Sequence, residues 1–336
     1  MKEAYLYEKL EDLKVRCYLC NHRCLIKDGS KGICGVRENR GGTLFSLVYG
    51  QVIAHHVDPI EKKPLFHFLP GSTSYSLATA GCNFKCLFCQ NADISQMPHD
   101  RKEIWGEPMA PETILEEALR SGSETISYTY TEPTIFFEFA LDIARPASSR
   151  GLRNIFVSNG YMTEECLREI HPHLHGANVD LKGFSDKYYK EVCGAKLAPV
   201  LKTIELMRKM KVWVEVTTLL VPGLNDSKEE LQQLAKFLVD LDPDIPWHVS
   251  RFHPTYRLTN VRSTPPESIR KAKDIGYEVG LKYVYTGNLP GDDGEKTLCH
   301  QCKELLIDRY GFYVRKNVIA GGRCPKCGTE IPGVWK

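Results

Sequence analysis

Cysteine is the residue type in this chain with the most capacity for chemistry, and 11 of its 13 copies fall into three clusters. Cys82, Cys86 and Cys89 lie within GCNFKCLFCQN and supply three thiols where a closed tetrahedral site needs four. Three ligands on a four-iron cluster leave one iron open to a ligand that is not protein. Cys299, Cys302, Cys324 and Cys327 form two C-x-x-C pairs 21 residues apart, close to zinc-ribbon spacing. Pro325 and Gly328 suit a tight knuckle there. Four thiolates close the coordination sphere, so the role is structural; zinc is preferred, and a rubredoxin-like iron would use the same ligands. Cys17, Cys20, Cys24 and Cys34, with His22 among them, follow no standard spacing. Gly29, Gly32 and Gly35 make that segment loop-rich, which points to metal-dependent folding. Zinc is placed ahead of an iron–sulfur cluster, with free structural thiols as the third reading. Cys166 and Cys193 read as small buried apolar residues, and His55, His56 and His67 as ordinary surface or core histidines.

These groups need elements to position them. The run 75–81 (YSLATAG) is strand-like and sets the three-cysteine loop at the C-terminal end of a strand, where α/β folds bind ligands. Further strands are expected at 124–130, 154–158, 177–182, 212–219, 247–252 and 282–286, with helices near 111–121, 133–147, 163–171, 199–210, 227–240 and 265–280. Pro111 and Pro265 fit first-turn positions. Such alternation predicts an α/β chain with a partial or full (β/α) barrel of six or seven parallel strands. There is no G-x-G-x-x-G, P-loop or H-E-x-x-H. Polar residues cluster at the expected strand ends: Tyr130-Thr131-Glu132-Pro133, Ser158-Asn159-Gly160, Asp180-Leu181-Lys182, Thr217-Thr218 and Arg251-Phe252-His253-Pro254.

The division expected is a Cys-rich module with a β-hairpin over 1–74, the barrel over 75–290, and a zinc-ribbon or rubredoxin-like module over 291–336. The 336 residues are 42% hydrophobic and 26% charged with a net charge of +2, which excludes a disordered chain and gives no general reason to expect nucleic-acid binding. The N-terminus carries mixed charges rather than a secretory signal, and no run reaches the length of a membrane span. A cytoplasmic, reducing setting is expected, in which clustered cysteines hold metals rather than disulfides.

Cys82-x-x-x-Cys86-x-x-Cys89, with Phe88 before the last cysteine, resembles the cluster loop of radical S-adenosylmethionine (SAM) enzymes. Residues 75–286, including Asp180-Leu181-Lys182 and Phe252-His253-Pro254, resemble the glycyl-radical-enzyme activases such as pyruvate formate-lyase activating enzyme. The whole chain, including CYLCNHRCLIKDGSKGICGVREN and DPIEKKPLFHFLPG, is similar to the radical SAM member of the AmmeMemoRadiSam system. The resemblance implies that Cys82, Cys86 and Cys89 hold a [4Fe–4S] cluster whose fourth iron binds the SAM amino and carboxylate groups. Glu132, Ser158, Asn159, Asp180, Lys182 and His253 are then expected to face the cofactor. Glu132 would accept from the SAM amino group, Lys182 would face its carboxylate, His253 its ribose or adenine, and Asp180 would fix that end of the site. Tyr130-Thr131 replaces the paired glycines of the family, so the backbone there should differ locally. Val157 replaces an aspartate and cannot ligate a cation.

The activity implied is reductive cleavage of SAM to a 5′-deoxyadenosyl radical and hydrogen abstraction from a substrate, with glycyl-radical-enzyme activation as one form of it. A donor such as flavodoxin or ferredoxin would supply the electron, and a protein is one possible substrate; no membrane or nucleic-acid partner is expected. The competing readings are radical SAM modification of a small molecule or RNA, and a non-catalytic zinc scaffold. The terminal modules are expected to shape substrate access or docking rather than to carry electrons. Asp58, Glu61, Lys62 and Lys63 are expected near the barrel mouth.

Overall fold

The computed structural model describes all 336 residues. Its centre is a nine-stranded sheet in which seven strands run parallel in sequence order: β2 (Thr73–Thr79), β3 (Thr125–Tyr128), β4 (Arg153–Ser158), β5 (Gly176–Asp180), β6 (Trp213–Leu220), β7 (Trp247–Arg251) and β8 (Val284–Gly287). β1 (Gln51–Pro59) pairs antiparallel with β2 and carries the two-residue strand Glu107–Pro108 on its other side. The sheet's two edges do not pair, so this is a partial barrel. All seven parallel strands fall where the apolar runs placed them. The hairpin expected within 44–74 takes its second strand from the barrel: β1 turns back onto β2 itself.

The strands are covered by helices, as parallel sheets require. The helix Lys228–Leu241 shows why the sequence folds this way. Ser227 caps it by accepting from the Glu230 amide at 3.2 Å, and Leu231, Leu234, Ala235 and Leu238 form one buried stripe at 3.6-residue spacing. Pro111 begins its helix as expected. In the last large helix Pro265 sits one place outside, and Pro266 takes the first turn.

Inside the barrel, the segment 60–69 plugs the end at which the strands begin. Glu215 of β6 is fully buried and accepts from the Phe66 and His67 amides at 2.9 and 2.7 Å, from Trp213 Nε1 at 3.0 Å and from His248 Nε2 at 2.7 Å. Burial alone would raise the Glu215 pKa, but these donors, His248 foremost, hold it below the ordinary value.

The C-terminal module packs beneath this plug. Its three-stranded antiparallel sheet (Thr297–Leu298, Leu305–Tyr310, Tyr313–Asn317) buries Leu306 and Ile307 against Phe66, Tyr283 and Tyr285. Arg309, 3% exposed, donates to Phe66 O at 2.7 Å and Thr297 Oγ1 at 2.7 Å, with Glu61 Oε1 at 3.4 Å. The N-terminal module packs at the opposite end with two small antiparallel sheets (Lys2–Glu3, Thr43–Ser46 and Arg37–Arg40; Tyr7–Lys9, Val15–Cys17 and Leu25–Ile26). No helix is long and apolar enough to cross a membrane.

Candidate active site

β2 is buried along nearly its whole length and ends at Thr79, and the three-cysteine loop follows at once. Gly81 stands at φ 105°, and a Cβ there would meet Val36 Cγ1 at 2.7 Å and Cys34 O at 3.5 Å, so only glycine lets the N-terminal module approach this close. The loop is pinned on every side. Lys85 and Leu87 amides donate to the Cys193 and Val192 carbonyls at 2.9 and 3.0 Å. Gln96 Nε2 donates to Phe84 O at 3.0 Å, the Arg257 amide to Leu87 O at 2.9 Å, and His22 Nε2 to Asn83 O at 2.7 Å. The Cys82 sulfur accepts from the Phe84 amide at 3.4 Å, and Cys89 Sγ lies 3.0 Å from Ser95 Oγ. Cys193 is buried, as expected, and lies close enough to Cys86 for the two thiols to shift each other's ionisation; nothing in its sequence context signals this.

Glu132 is buried at the end of β3 and joins two strand ends. Its Oε1 accepts from the Thr134 amide at 3.0 Å, Thr134 Oγ1 at 2.5 Å and Ser158 Oγ at 2.8 Å, while Oε2 accepts from the Asn159 amide at 2.8 Å. Burial raises its pKa against these donors. Oε2 keeps a lone pair for a further donor. Asn159 continues the chain toward the cysteines: its Nδ2 donates to Asn83 Oδ1 at 2.7 Å and lies 3.8 Å from Cys82 Sγ. Glu132, Ser158, Asn159 and Cys82 thus form one connected group.

Asp180 and Lys182 meet on the other side of the loop. Lys182 Nζ donates to Asp180 Oδ2 at 3.0 Å and lies 5.8 Å from the Phe88 ring centre. Burial opposes the charge on Lys182, yet Asp180 beside it holds its pKa above the usual lysine value. His253 stands apart. It is exposed, and its hydrogen-bond partner is Ser263 Oγ at 3.2 Å.

Tyr130 stands at φ 60°, the left-handed region that glycine favours. The backbone therefore makes the glycine-type turn in spite of the side chain. That side chain reaches Asp58, to which its hydroxyl donates; Lys63 lies 4.6 Å from its ring centre and donates to the same Asp58 carboxylate. Burial pulls Lys63 down to about 8 even beside Asp58. The four charges expected near the mouth lie toward the other end: Asp58 pairs with Ser74 where β2 begins, Lys62 and Lys63 bond Asp58, and Glu61 turns toward Arg309 of the C-terminal module.

The donor set fits a cluster with SAM on its open iron. The three loop sulfurs do not gather within single-ion distance of one another, unlike Cys299, Cys302, Cys324 and Cys327, which all lie within 4.8 Å. Separate irons call for that wider spacing. Asn83 Nδ2, buried beside the loop, has no hydrogen-bond partner, and a carboxylate and an ammonium stand on opposite sides of the opening.

Residues 76–238 match the family model described as Radical SAM superfamily. The chain is 47% identical over 334 residues to the uncharacterized protein MJ0808 of Methanocaldococcus jannaschii, covering 98% of this chain and 99% of the relative. It is 24% identical over 235 residues to the pyruvate formate-lyase-activating enzyme of Staphylococcus epidermidis, covering 64% of this chain and 90% of that enzyme. The crystal structure of Streptococcus suis SuiB bound to S-adenosylmethionine superposes with a TM-score of 0.51 at 13% identity, over 69% of this chain and 53% of that one, a likeness of fold.

Proposed function

This chain belongs to the radical SAM superfamily, and on that premise we propose that it abstracts a hydrogen atom from a glycine of a partner protein, as an activase of a glycyl-radical enzyme. The family carries SAM cleavage and radical chemistry; the substrate is this reading's own step. When bound, a [4Fe–4S] cluster and SAM supply the one-electron cleavage that yields methionine and the 5′-deoxyadenosyl radical. Cys82, Cys86 and Cys89 are the residues that would hold three irons.

The chain's own residues bind and orient. Glu132 Oε2 would accept from the SAM ammonium through its free lone pair. Lys182 would meet the SAM carboxylate, with Asp180 keeping its ammonium charged and in place. Ser158 and Asn159 hold Glu132 in position, and Asn159 couples it to the Cys82 side of the loop. His253, exposed beyond β7, would close over the nucleoside end. The setting would be the reduced cytoplasm, and the electron would come from a flavodoxin- or ferredoxin-type carrier.

The observation that carries the proposal is the connected group Glu132–Ser158–Asn159–Cys82 at the ends of three neighbouring strands. The activase reading takes support from the relative of that name. The test is anaerobic reconstitution with SAM and a reductant, followed by mass spectrometry of 5′-deoxyadenosine. A partner protein labelled with deuterated glycine should pass deuterium into the product. Cleavage of SAM with no transfer from glycine would overturn the activase reading and leave the family chemistry standing.

A further inference from the structure

The four N-terminal cysteines surround a void. Cys17, Cys20, Cys24 and Cys34 line it together with Leu19, Ile26, Ile33 and Ile135, and the centre of a water-sized sphere can sweep about 20 Å³ of it. That is a little more than one water's worth of space, and His22 and Arg37 are the polar side chains of its lining. The C-terminal quartet is packed differently. Its sulfurs touch in pairs, Cys299 to Cys327 at 3.6 Å and Cys302 to Cys324 at 3.7 Å.

The two spacings fit different occupants. A tetrahedral zinc with bonds of about 2.3 Å holds its sulfurs roughly 3.8 Å apart, which is the C-terminal arrangement. No three of the N-terminal sulfurs come within 4.8 Å of one another. The loop sulfurs Cys82, Cys86 and Cys89, each expected on its own iron, likewise form no such tight group.

A second observation is independent of the sulfurs. Arg37 lines the same void and is 1% exposed. Its Nη2 is used, donating to Glu138 Oε1 at 2.6 Å and Tyr5 O at 2.9 Å. Its Nε and Nη1 are buried with no acceptor. Glu138 Oε2 is unpartnered too, but the three N–H groups on these two nitrogens of a buried guanidinium cost several kcal/mol unless something accepts from them. An occupant carrying net negative charge and several sulfur acceptors answers both the void and the donors.

We propose that this pocket holds a second [4Fe–4S] cluster, ligated by Cys17, Cys20, Cys24 and Cys34 and hydrogen-bonded by Arg37. Four protein thiolates leave no open iron, so SAM does not bind here. The site adjoins the catalytic loop through Cys34 O against Gly81 and through His22 to Asn83 O.

Metal analysis of the full-length protein, purified anaerobically and reconstituted, tests this. The intact chain should carry about eight irons with equal sulfide, and the Cys82→Ala/Cys86→Ala/Cys89→Ala variant should keep about four, with a reducible [4Fe–4S] spectrum. Adding Cys20→Ala and Cys24→Ala to that variant should remove the remaining iron. Because those changes could unfold the module, the intact chain decides independently. About four irons with a second zinc in the intact protein, or a loop variant free of iron, would overturn the proposal.

Discussion

Four thiols stand toward each end of this chain, and the protein packs the two sets differently. The C-terminal quartet is drawn together within 4.8 Å on a small sheet beneath the barrel plug, remote from the loop that follows β2. The N-terminal quartet is spread around an apolar void and packs against that loop, its own Cys34 carbonyl lying where a side chain on Gly81 would be. Counting cysteines would equate the two. Spacing, burial and the company of a charged side chain separate them: one set closes on a point in a segment with little core of its own, the other lines a void.

Arg37 gives the largest single-residue effect on this contrast. Arg37→Met leaves the Glu138 carboxylate buried without its cation, in a pair whose side chains are 2% and 0% exposed. Breaking such a pair costs about 3–5 kcal/mol, and if the pocket holds the proposed cluster, loss of the donors on Nε and Nη1 should also weaken it. Urea unfolding of the metal-loaded protein should show a drop of that size, with barrel iron unaffected. A change below about 1 kcal/mol, the usual worth of an exposed pair, would mean that the pair is not buried in solution.

At the other end the corresponding lever is pH. His67 donates from Nδ1 to Pro332 O at 2.7 Å and accepts at Nε2 from the Tyr285 hydroxyl, 2.6 Å away, so it sits neutral between barrel and tail. Burial, only partly offset by Glu215, lowers its pKa to about 4. The unfolded chain takes up this proton near 6.5, so the stability contributed by neutral His67 is full above pH 6.5 and is lost as pH falls toward 4. The difference between the two states corresponds to about 3 kcal/mol across the window. Unfolding free energies at pH 7 and pH 4.5 should differ by less in His67→Gln than in the wild type. An equal fall in both would assign the acid sensitivity elsewhere.

Legibility from sequence follows the same divide. The seven parallel strands and their helices were readable because buried parallel strands are short apolar runs and their helices carry one apolar stripe. The three-cysteine loop was readable because its cysteines are close in sequence. The Glu132–Ser158–Asn159 group was readable as polar residues at strand ends, though not as a group whose members bond one another. What was not readable depends on packing between distant segments: Arg37 beside the N-terminal thiols, Cys193 against Cys86, and Tyr130 turned back to Asp58 and Lys63. For the N-terminal quartet, irregular spacing in the sequence says nothing about whether four sulfurs close on a point or line a void.

The mouth and the far end should also separate in SAM binding. Glu132→Ala should weaken SAM affinity by about 1.5–3 kcal/mol, the worth of a hydrogen bond to a charged group and roughly ten- to a hundredfold in Kd. Ser158→Ala removes one of the donors to Oε1 and should cost less. Cys324→Ser, in the far module, should leave SAM affinity unchanged in protein that remains folded. Equal losses from Glu132→Ala and Cys324→Ser would mean that the far module is coupled to the site and that the contrast between the two ends fails.

The smallest effect belongs to Lys326. It sits between Cys324 and Cys327 as Arg37 sits beside the N-terminal thiols, and it pairs with Glu304 at 3.2 Å. Both side chains reach solvent, 63% and 39% exposed, so water already stabilises each charge and the pair is screened by salt. Lys326→Met should leave the unfolding midpoint and the metal content where they were. The cations beside the two quartets thus differ in burial rather than in sign, and burial decides which of them the fold depends on. A clear loss of metal in Lys326→Met would show that the C-terminal thiolates need a neighbouring positive charge, and the two ends would then resemble each other more than their spacing suggests.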